Sequence, residues 1–130
     1  MRTGRRVVAG WRMGPVEAEV LERLWEAGRP LSVREVSADL NGDRRAYTTV
    51  MTILTRLAEK GLVRKIPADR HFVYEAAGSD DELAAAAICR MLEASADPQA
   101  VLSRLVEQVS EEPELLRGLA DLVGRGRRGE

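Results

Sequence analysis

Between residues 45 and 60 an apolar stripe stands opposite a set of hydroxyl side chains. Val50, Ile53, Leu54 and Leu57 recur at helical spacing and predict the buried face of an amphipathic helix. Threonine is only a middling helix former, but its short hydroxyl can hydrogen-bond phosphates and base edges. We therefore predict a DNA-recognition helix, the alternative being an exposed helix of indifferent composition. Base and phosphate contacts are expected from its outward residues Tyr47, Thr48, Thr49, Thr52 and Arg56.

Two β-prone runs follow this helix and predict a hairpin. Residues 62–67 and 71–75 are rich in Leu, Val, Ile, Phe and Tyr, and Ala68-Asp69-Arg70 lies between them. Basic side chains on such a hairpin can neutralise phosphates and make binding fall steeply with salt. Backbone or wing contacts are predicted from Arg45, Lys65 and Arg70, although each charge taken alone is about as well explained as a solvated group.

The segments before residue 45 supply the elements that would position this helix. An amphipathic helix is predicted from Pro15 to Ala27, ended by Gly28, with an extended link at 29–31 that can pair briefly as a strand. Ser32 and Glu35 have capping-box spacing and predict a second short helix, which ends before a turn at 41–43. The order helix, helix, helix, hairpin predicts a winged helix-turn-helix domain over residues 14–77.

Residues 1–13 mix glycine, arginine and small residues without a period, so we expect a flexible basic arm. Arg2, Arg5, Arg6 and Arg12 would contact phosphates or a minor groove, as basic arms do in other DNA-binding domains. A solvated tail is the alternative.

Residues 78–124 differ in character and predict three short, leucine-rich helices. Ser79 and Glu82 repeat the capping-box spacing, and prolines at 98 and 113 open the next two helices. About 50 residues of this kind have too little bulk for a separate stable core, so a second copy of the chain is the expected cover. We predict an α-helical dimerisation domain here and a tail at 125–130. The residues expected at the dimer interface are Leu83, Leu92, Leu102, Leu105, Val106, Val109, Leu116 and Leu119.

Composition limits the function classes. The formal net charge of −1 disfavours nucleic acid as a partner, but residues 1–77 carry four more basic than acidic groups, while residues 78–130 carry five more acidic than basic ones.

The single cysteine, Cys89, is expected to be a small buried side chain, with a redox-sensing thiol or an interchain disulfide as alternatives. We find no catalytic, metal-binding or cofactor motif and no membrane-spanning run, so a cytoplasmic protein that is not an enzyme is expected. A winged-helix module that binds protein rather than DNA is the competing hypothesis.

The sequence resembles the BlaI/MecI (penicillinase repressor) family from about residue 14 to residue 123. The most specific match is residues 46–63, AYTTVMTILTRLAEKGLV. Residues 17–21 (EAEVL), Leu24-Trp25, residues 33–36 (VREV) and the hairpin residues Arg70, Phe72 and Tyr74 surround it.

This resemblance implies a mainly α protein with a small β-hairpin wing, in which a homodimer represses transcription from a palindromic operator. In members under antibiotic control, a sensor protease responds to β-lactam and the repressor is cut in its dimerisation domain. The best-known members are cut at an Asn-Phe pair, where this chain has Arg104-Leu105. Copper-responsive relatives carry a C-terminal cysteine cluster, which the tail at 124–130 lacks, so copper sensing by that motif is disfavoured.

Overall fold

The computed structural model describes residues 6–40, 47–127 and 129. The chain divides into two compact units, Met1–Ile88 and Cys89–Glu130. In the first unit the helices are α1 (Pro15–Ala27), α2 (Val33–Asp39) and α3 (Tyr47–Glu59), and α4 (Asp80–Ala94) begins there. Its strands are β1 (Arg6–Val8), β2 (Trp11–Met13), β3 (Leu31–Ser32), β4 (Val63–Pro67) and β5 (Phe72–Ala76). The predicted order of three helices and a hairpin is confirmed, so the fold is a winged helix-turn-helix.

Local signals in the sequence explain where the first helices begin and end. The Gly14 N–H donates to the Glu17 carboxylate at 3.2 Å and holds the first turn of α1, which ends at Gly28 with φ of 64°. At α2 the Ser32 N–H donates to Glu35 at 2.9 Å, and the Glu35 N–H donates to the Ser32 hydroxyl at 3.1 Å. The predicted capping box is therefore confirmed. The hydrogen bond that the Glu35 carboxylate accepts from the Ser32 backbone lowers the pKa of Glu35, and a hydrogen bond from the Arg29 guanidinium lowers this pKa further.

The wing is the hairpin β4–β5, and it belongs to a three-stranded antiparallel sheet in the order β3, β5, β4, with β5 in the centre. The extended link at Leu31 does pair as a short strand, with Leu31 opposite Tyr74. Lys65 lies opposite Tyr74 on the other side, and the turn is closed by the Ala68 N–H donating to the His71 carbonyl at 2.8 Å. One aliphatic core joins this sheet to the helices. Its largest fully buried side chains are Met13, Val20, Leu21, Leu31, Val36, Val50, Leu54, Leu57, Leu62 and Tyr74.

The expectation of a flexible arm is wrong for residues 6–13, which form the antiparallel hairpin β1–β2. The two-residue turn is Ala9-Gly10, and both residues have positive φ, 53° and 83°. Ala9 and Met13 are buried in the core, and the Ala9 N–H donates to the Asp80 carboxylate at 2.9 Å. Burial of small and apolar side chains thus fixes a segment that its arginines had suggested was free. The arginines at positions 2 and 5 lie outside the described residues.

The first unit extends beyond the boundary predicted at residue 77, because the start of α4 packs into it. Leu83 and Ala87 are 7% and 8% exposed, so Leu83 is a core residue of this unit. The prediction of Leu83 at the dimer interface is therefore wrong: its side chain is already covered within the chain. The indole N–H of Trp25 donates to the Gly78 carbonyl at 2.8 Å and fixes the link before α4.

The second unit contains the rest of α4 with helices α5 (Pro98–Val109) and α6 (Pro113–Arg127). Asp97 caps α5 by accepting from the Ala100 N–H at 3.1 Å, and Pro98 opens the helix as predicted. None of the described residues in this unit is buried, although the unit is rich in leucine and valine. Cys89 is exposed, so the expectation of a buried thiol is wrong.

Candidate nucleic-acid interface

Helix α3 presents one face to the core and the other to solvent, as its sequence pattern predicted. Val50, Leu54 and Leu57 are fully buried and Ile53 nearly so, against α1, α2 and β4. This stripe fixes the rotation of the helix about its axis. All the predicted contact residues of this helix therefore lie in the exposed row: Tyr47, Thr48, Thr49, Thr52 and Arg56. Arg45 lies outside the described residues.

Thr52 has a defined hydrogen-bonding state on this face. Its hydroxyl donates to the Thr48 carbonyl one turn earlier, at 2.9 Å. Because the proton is used in that bond, the lone pairs of Oγ1 and the methyl group are what Thr52 offers outward. An amino group on a base edge, such as adenine N6 or cytosine N4, is the matching donor in a major groove.

Met51 and Arg34 are exposed in this region but were not among the predicted contacts. Met51 lies between the threonines on the outward face and is 40% exposed. Arg34 is exposed on α2 and lines a groove together with Tyr47 and Met51. The spacing of the apolar stripe could have placed Met51 on the outward face of α3. The approach of Arg34 to α3 could not be predicted in this way, because it depends on how α2 and α3 pack.

The groove beside α3 measures about 500 Å³ and separates the first turn of this helix from the wing. Aromatic side chains line it, among them Tyr47, Phe72 and Tyr74. Burial, and then the neighbouring Tyr47, raise the pKa of Tyr74, so its phenol stays neutral and supports the groove without adding charge. Arg70 and His71 at the wing turn lie at the same groove.

The basic residues of the wing differ in what they already contact. The Lys65 ammonium lies 4.1 Å from the centroid of the Phe72 ring, which orients it by a cation–π contact. The Arg64 guanidinium pairs with Glu75 at 3.0 Å and also donates to the Ala77 carbonyl. Arg70 is exposed and makes no ion pair with another described residue. Lys65 and Arg70 are thus both accessible on the wing, as predicted, but only Arg70 is uncommitted within the described chain.

The part of the chain that the structure describes also bears on two other kinds of site. No helix there is long and apolar enough to cross a membrane. No group of three or more His, Cys, Asp or Glu side chains there is placed to hold a metal ion.

Comparison with known proteins agrees with the architecture. The chain matches the penicillinase repressor family over residues 13–124. It is 42% identical over 124 residues to the transcriptional regulator BlaI of Mycobacterium tuberculosis strain CDC 1551, covering 90% of each chain. The BlaI protein of strain H37Rv matches equally.

Among solved structures, the hsRosR-S4 complex has a similar fold. The TM-score is 0.51 at 19% identity, and the match covers 79% of this chain and 94% of the other. The family match and the BlaI relatives cover most of the chain, including α3 and the wing. The chain therefore belongs to the penicillinase repressor (BlaI/MecI) family of DNA-binding transcriptional regulators, and is not an enzyme.

Proposed function

We propose that this protein is a dimeric repressor that binds a palindromic operator through α3 and the wing. The observation that carries the proposal is the exposed face of α3, where hydroxyls, a phenol and an arginine stand in place of the acidic and aliphatic residues of an ordinary surface helix. Such side chains hydrogen-bond base edges and phosphates in a major groove. The sequence match to BlaI regulators supports the same role.

The second unit supports the proposal of a dimer. Leucines and valines of α5 and α6 line an apolar groove of about 420 Å³. The leucines and valines of these two helices that are exposed have exposed fractions of 38–61%. A helical unit in which none of the described residues is buried lacks a core of its own to stabilise it. Pairing with the same surface of a second copy would bury these side chains. The predicted interface residues Leu102, Leu105, Val106, Val109, Leu116 and Leu119 all belong to α5 or α6, while Leu92 is half-buried on α4.

A two-fold dimer determines the form of its operator. Each α3 would enter the major groove of one half-site, and the half-sites would be inverted copies roughly 34 Å apart or a multiple of it. RNA polymerase would be excluded from DNA that is covered in this way.

The competing hypothesis, a winged helix that binds only protein, rested on the overall acidic charge. The excess of basic groups over residues 1–77 removes most of that argument.

Release of the operator is proposed to act through the second unit. Separation of two copies would leave each first unit alone on one half-site, with a much lower affinity. The bond between Arg104 and Leu105 lies inside α5, so a protease would have to unfold that helix locally before it could bind an extended substrate. A sensor protease as partner stays a prediction from the resemblance.

The binding proposal is tested with a fluorescent duplex from the DNA upstream of the protein's own gene. We expect saturable binding, and a logarithm of the binding constant that falls linearly with the logarithm of salt concentration. Arg56→Ala is expected to weaken binding to this duplex by roughly 1–3 kcal/mol and to weaken binding to random DNA much less. Arg104→Ala, on exposed α5, is the matched control. Equal affinity for the upstream duplex and random DNA would contradict specific binding there.

A further inference from the structure

We propose that the groove between α2, α3 and the wing binds a phosphate of the DNA backbone, held between Arg34 and Arg70. This inference rests on the proposed function, because it assigns one contact within the protein–DNA complex. It adds a basic residue from α2 to an interface for which the sequence predicted contacts from the N-terminal arm, the recognition helix and the wing but none from α2.

The position of the groove is the first argument. It opens between the start of α3, which would lie in the major groove, and the turn of the wing. Where a protein contacts DNA with both a recognition helix and a wing, a sugar–phosphate strand must pass between the two elements. Arg34 lines one side of this groove from α2, and Arg70 lines the other side from the wing turn.

The second argument is charge complementarity. Neither Arg34 nor Arg70 makes an ion pair with another described residue, and both are exposed. The neighbouring arginines differ: Arg29 pairs with Glu35 at 3.2 Å, and Arg64 pairs with Glu75 at 3.0 Å. Two exposed guanidinium groups that line one groove offer positive charge and hydrogen-bond donors to an anion between them.

The chemistry of the lining fits a phosphodiester. A guanidinium presents N–H donors in a fork that matches two phosphate oxygens. Tyr47 adds a phenolic hydroxyl at the same groove, and it is 47% exposed and so accessible to a ligand. The aromatic rings of the exposed Phe72 and the buried Tyr74 line the rest of the groove.

Salt titration of operator binding by Arg34→Gln, Arg70→Gln and the double variant tests the proposal. Each single variant is expected to lower affinity on the order of tenfold on every DNA sequence, since phosphate contacts carry no sequence information. The slope of log K against log salt should become shallower by about 1.8 in the double variant, which is about 0.9 for each half-site of the dimer, and not by about twice that, because both arginines of one copy contact one phosphate. Arg64→Gln is the matched control, since the same charge is removed from the same wing at a site already paired with Glu75.

Replacing single phosphates of the operator by uncharged methylphosphonates locates the contact. We expect one position per half-site at which the wild-type protein loses affinity and the double variant loses none. Thermal unfolding of each variant checks that it is folded.

Three results would overturn the proposal. In the first, Arg34→Gln and Arg70→Gln bind the operator as tightly as Arg64→Gln does. In the second, the methylphosphonate scan shows that the two arginines contact different phosphates. The DNA-free protein could instead bind inorganic phosphate in an Arg34-dependent way while the salt slope for DNA stays unchanged, which would assign the groove to a small anion. Absence of operator binding by the wild-type protein is a different result, and would contradict the proposed function itself.

Discussion

At the scale of single residues, the hydrogen bond of Thr52 determines what α3 can offer to a base. Its hydroxyl proton is held by the Thr48 carbonyl, so the oxygen is available as an acceptor. Thr52→Val keeps the shape and the outward methyl but removes the oxygen. We expect it to lose roughly 1–2 kcal/mol of binding to the operator and its preference for an amino-bearing base at one position.

Affinities for operators substituted at each base pair measure this loss. Thr52→Ser keeps the hydroxyl and is the control, since it should retain the base preference. Unchanged discrimination by Thr52→Val at every base pair would contradict a role for this residue in base recognition.

The outward position of Thr52 could be predicted from sequence, whereas its hydrogen-bonding state could not. The spacing of Val50, Leu54 and Leu57 is enough to determine which side of a helix is buried. The direction of a hydroxyl depends on the side-chain torsion, for which a sequence pattern carries little information. Arg34 was missed for a related reason, because its proximity to Tyr47 arises from the packing of α2 on α3.

At the scale of elements, the N-terminal hairpin is the part of the fold that sequence reasoning missed. Tight hairpins are usually signalled by Asn-Gly or Asp-Gly, because both turn residues need positive φ. Here Ala9 occupies the first position, where a Cβ makes that backbone conformation unfavourable. Its burial and its N–H bond to Asp80 compensate, and both are tertiary contacts that lie outside any local pattern.

Gly10 is predicted to be a sensitive position of this hairpin. A Cβ there would lie 3.0 Å from the Cβ of Ala87 and would sit on backbone with φ of 83°. Gly10→Ala should therefore lower the free energy of unfolding by about 1–3 kcal/mol in urea titrations. Gly28→Ala is the control for backbone strain alone, because φ there is 64° and no atom lies within 4 Å of the added Cβ.

A comparison in the Ala87→Gly background isolates the contact. There, Gly10→Ala should cost no more than Gly28→Ala does. Equal costs of the two glycine substitutions in the wild-type background would contradict close packing of the hairpin against α4.

The capping box of α2 predicts a dependence of stability on pH. Hydrogen bonds to Ser32 and Arg29 favour the ionised form of Glu35 in the folded protein and so lower its pKa. The stabilisation is present above the ordinary pKa of glutamate and is lost as pH falls through the lowered value. Glu35→Gln should make the midpoint of thermal unfolding less dependent on pH between about pH 5 and pH 3.

Glu26→Gln removes a charge at an exposed position of α1 and is the control. If the wild-type protein and Glu35→Gln have the same pH profile, Glu35 makes no such contribution.

At the scale of the whole molecule, the two units differ in charge and in how completely they bury their apolar side chains. The first unit has an aliphatic core that could be predicted from helical spacing, capping signals and the hairpin. The boundary between the units could not be placed from sequence, because nothing local shows that Leu83 packs into the first core. The leucines of α5 and α6 remain exposed in a single chain, which is the strongest structural argument for a second copy.

Leu105→Glu is predicted to separate the proposed dimer. A carboxylate in an apolar interface must be desolvated without a partner, which costs several kcal/mol and favours dissociation. Sedimentation at micromolar concentration should then show a monomer, and the affinity for the operator should fall at least tenfold. Ala100→Glu introduces the same group on exposed α5, away from the apolar groove, and should remain dimeric. A dimeric Leu105→Glu protein would place the interface elsewhere.

Selection of genomic DNA by the purified protein, followed by sequencing of the retained fragments, tests the central claim most directly. The account predicts a shared inverted repeat with half-sites about one or two helical turns apart, and loss of the preference at defined base pairs when Thr52 or Arg56 is changed. Retained fragments without a common motif, or a motif that is unaffected by these changes in α3, would contradict recognition by this helix.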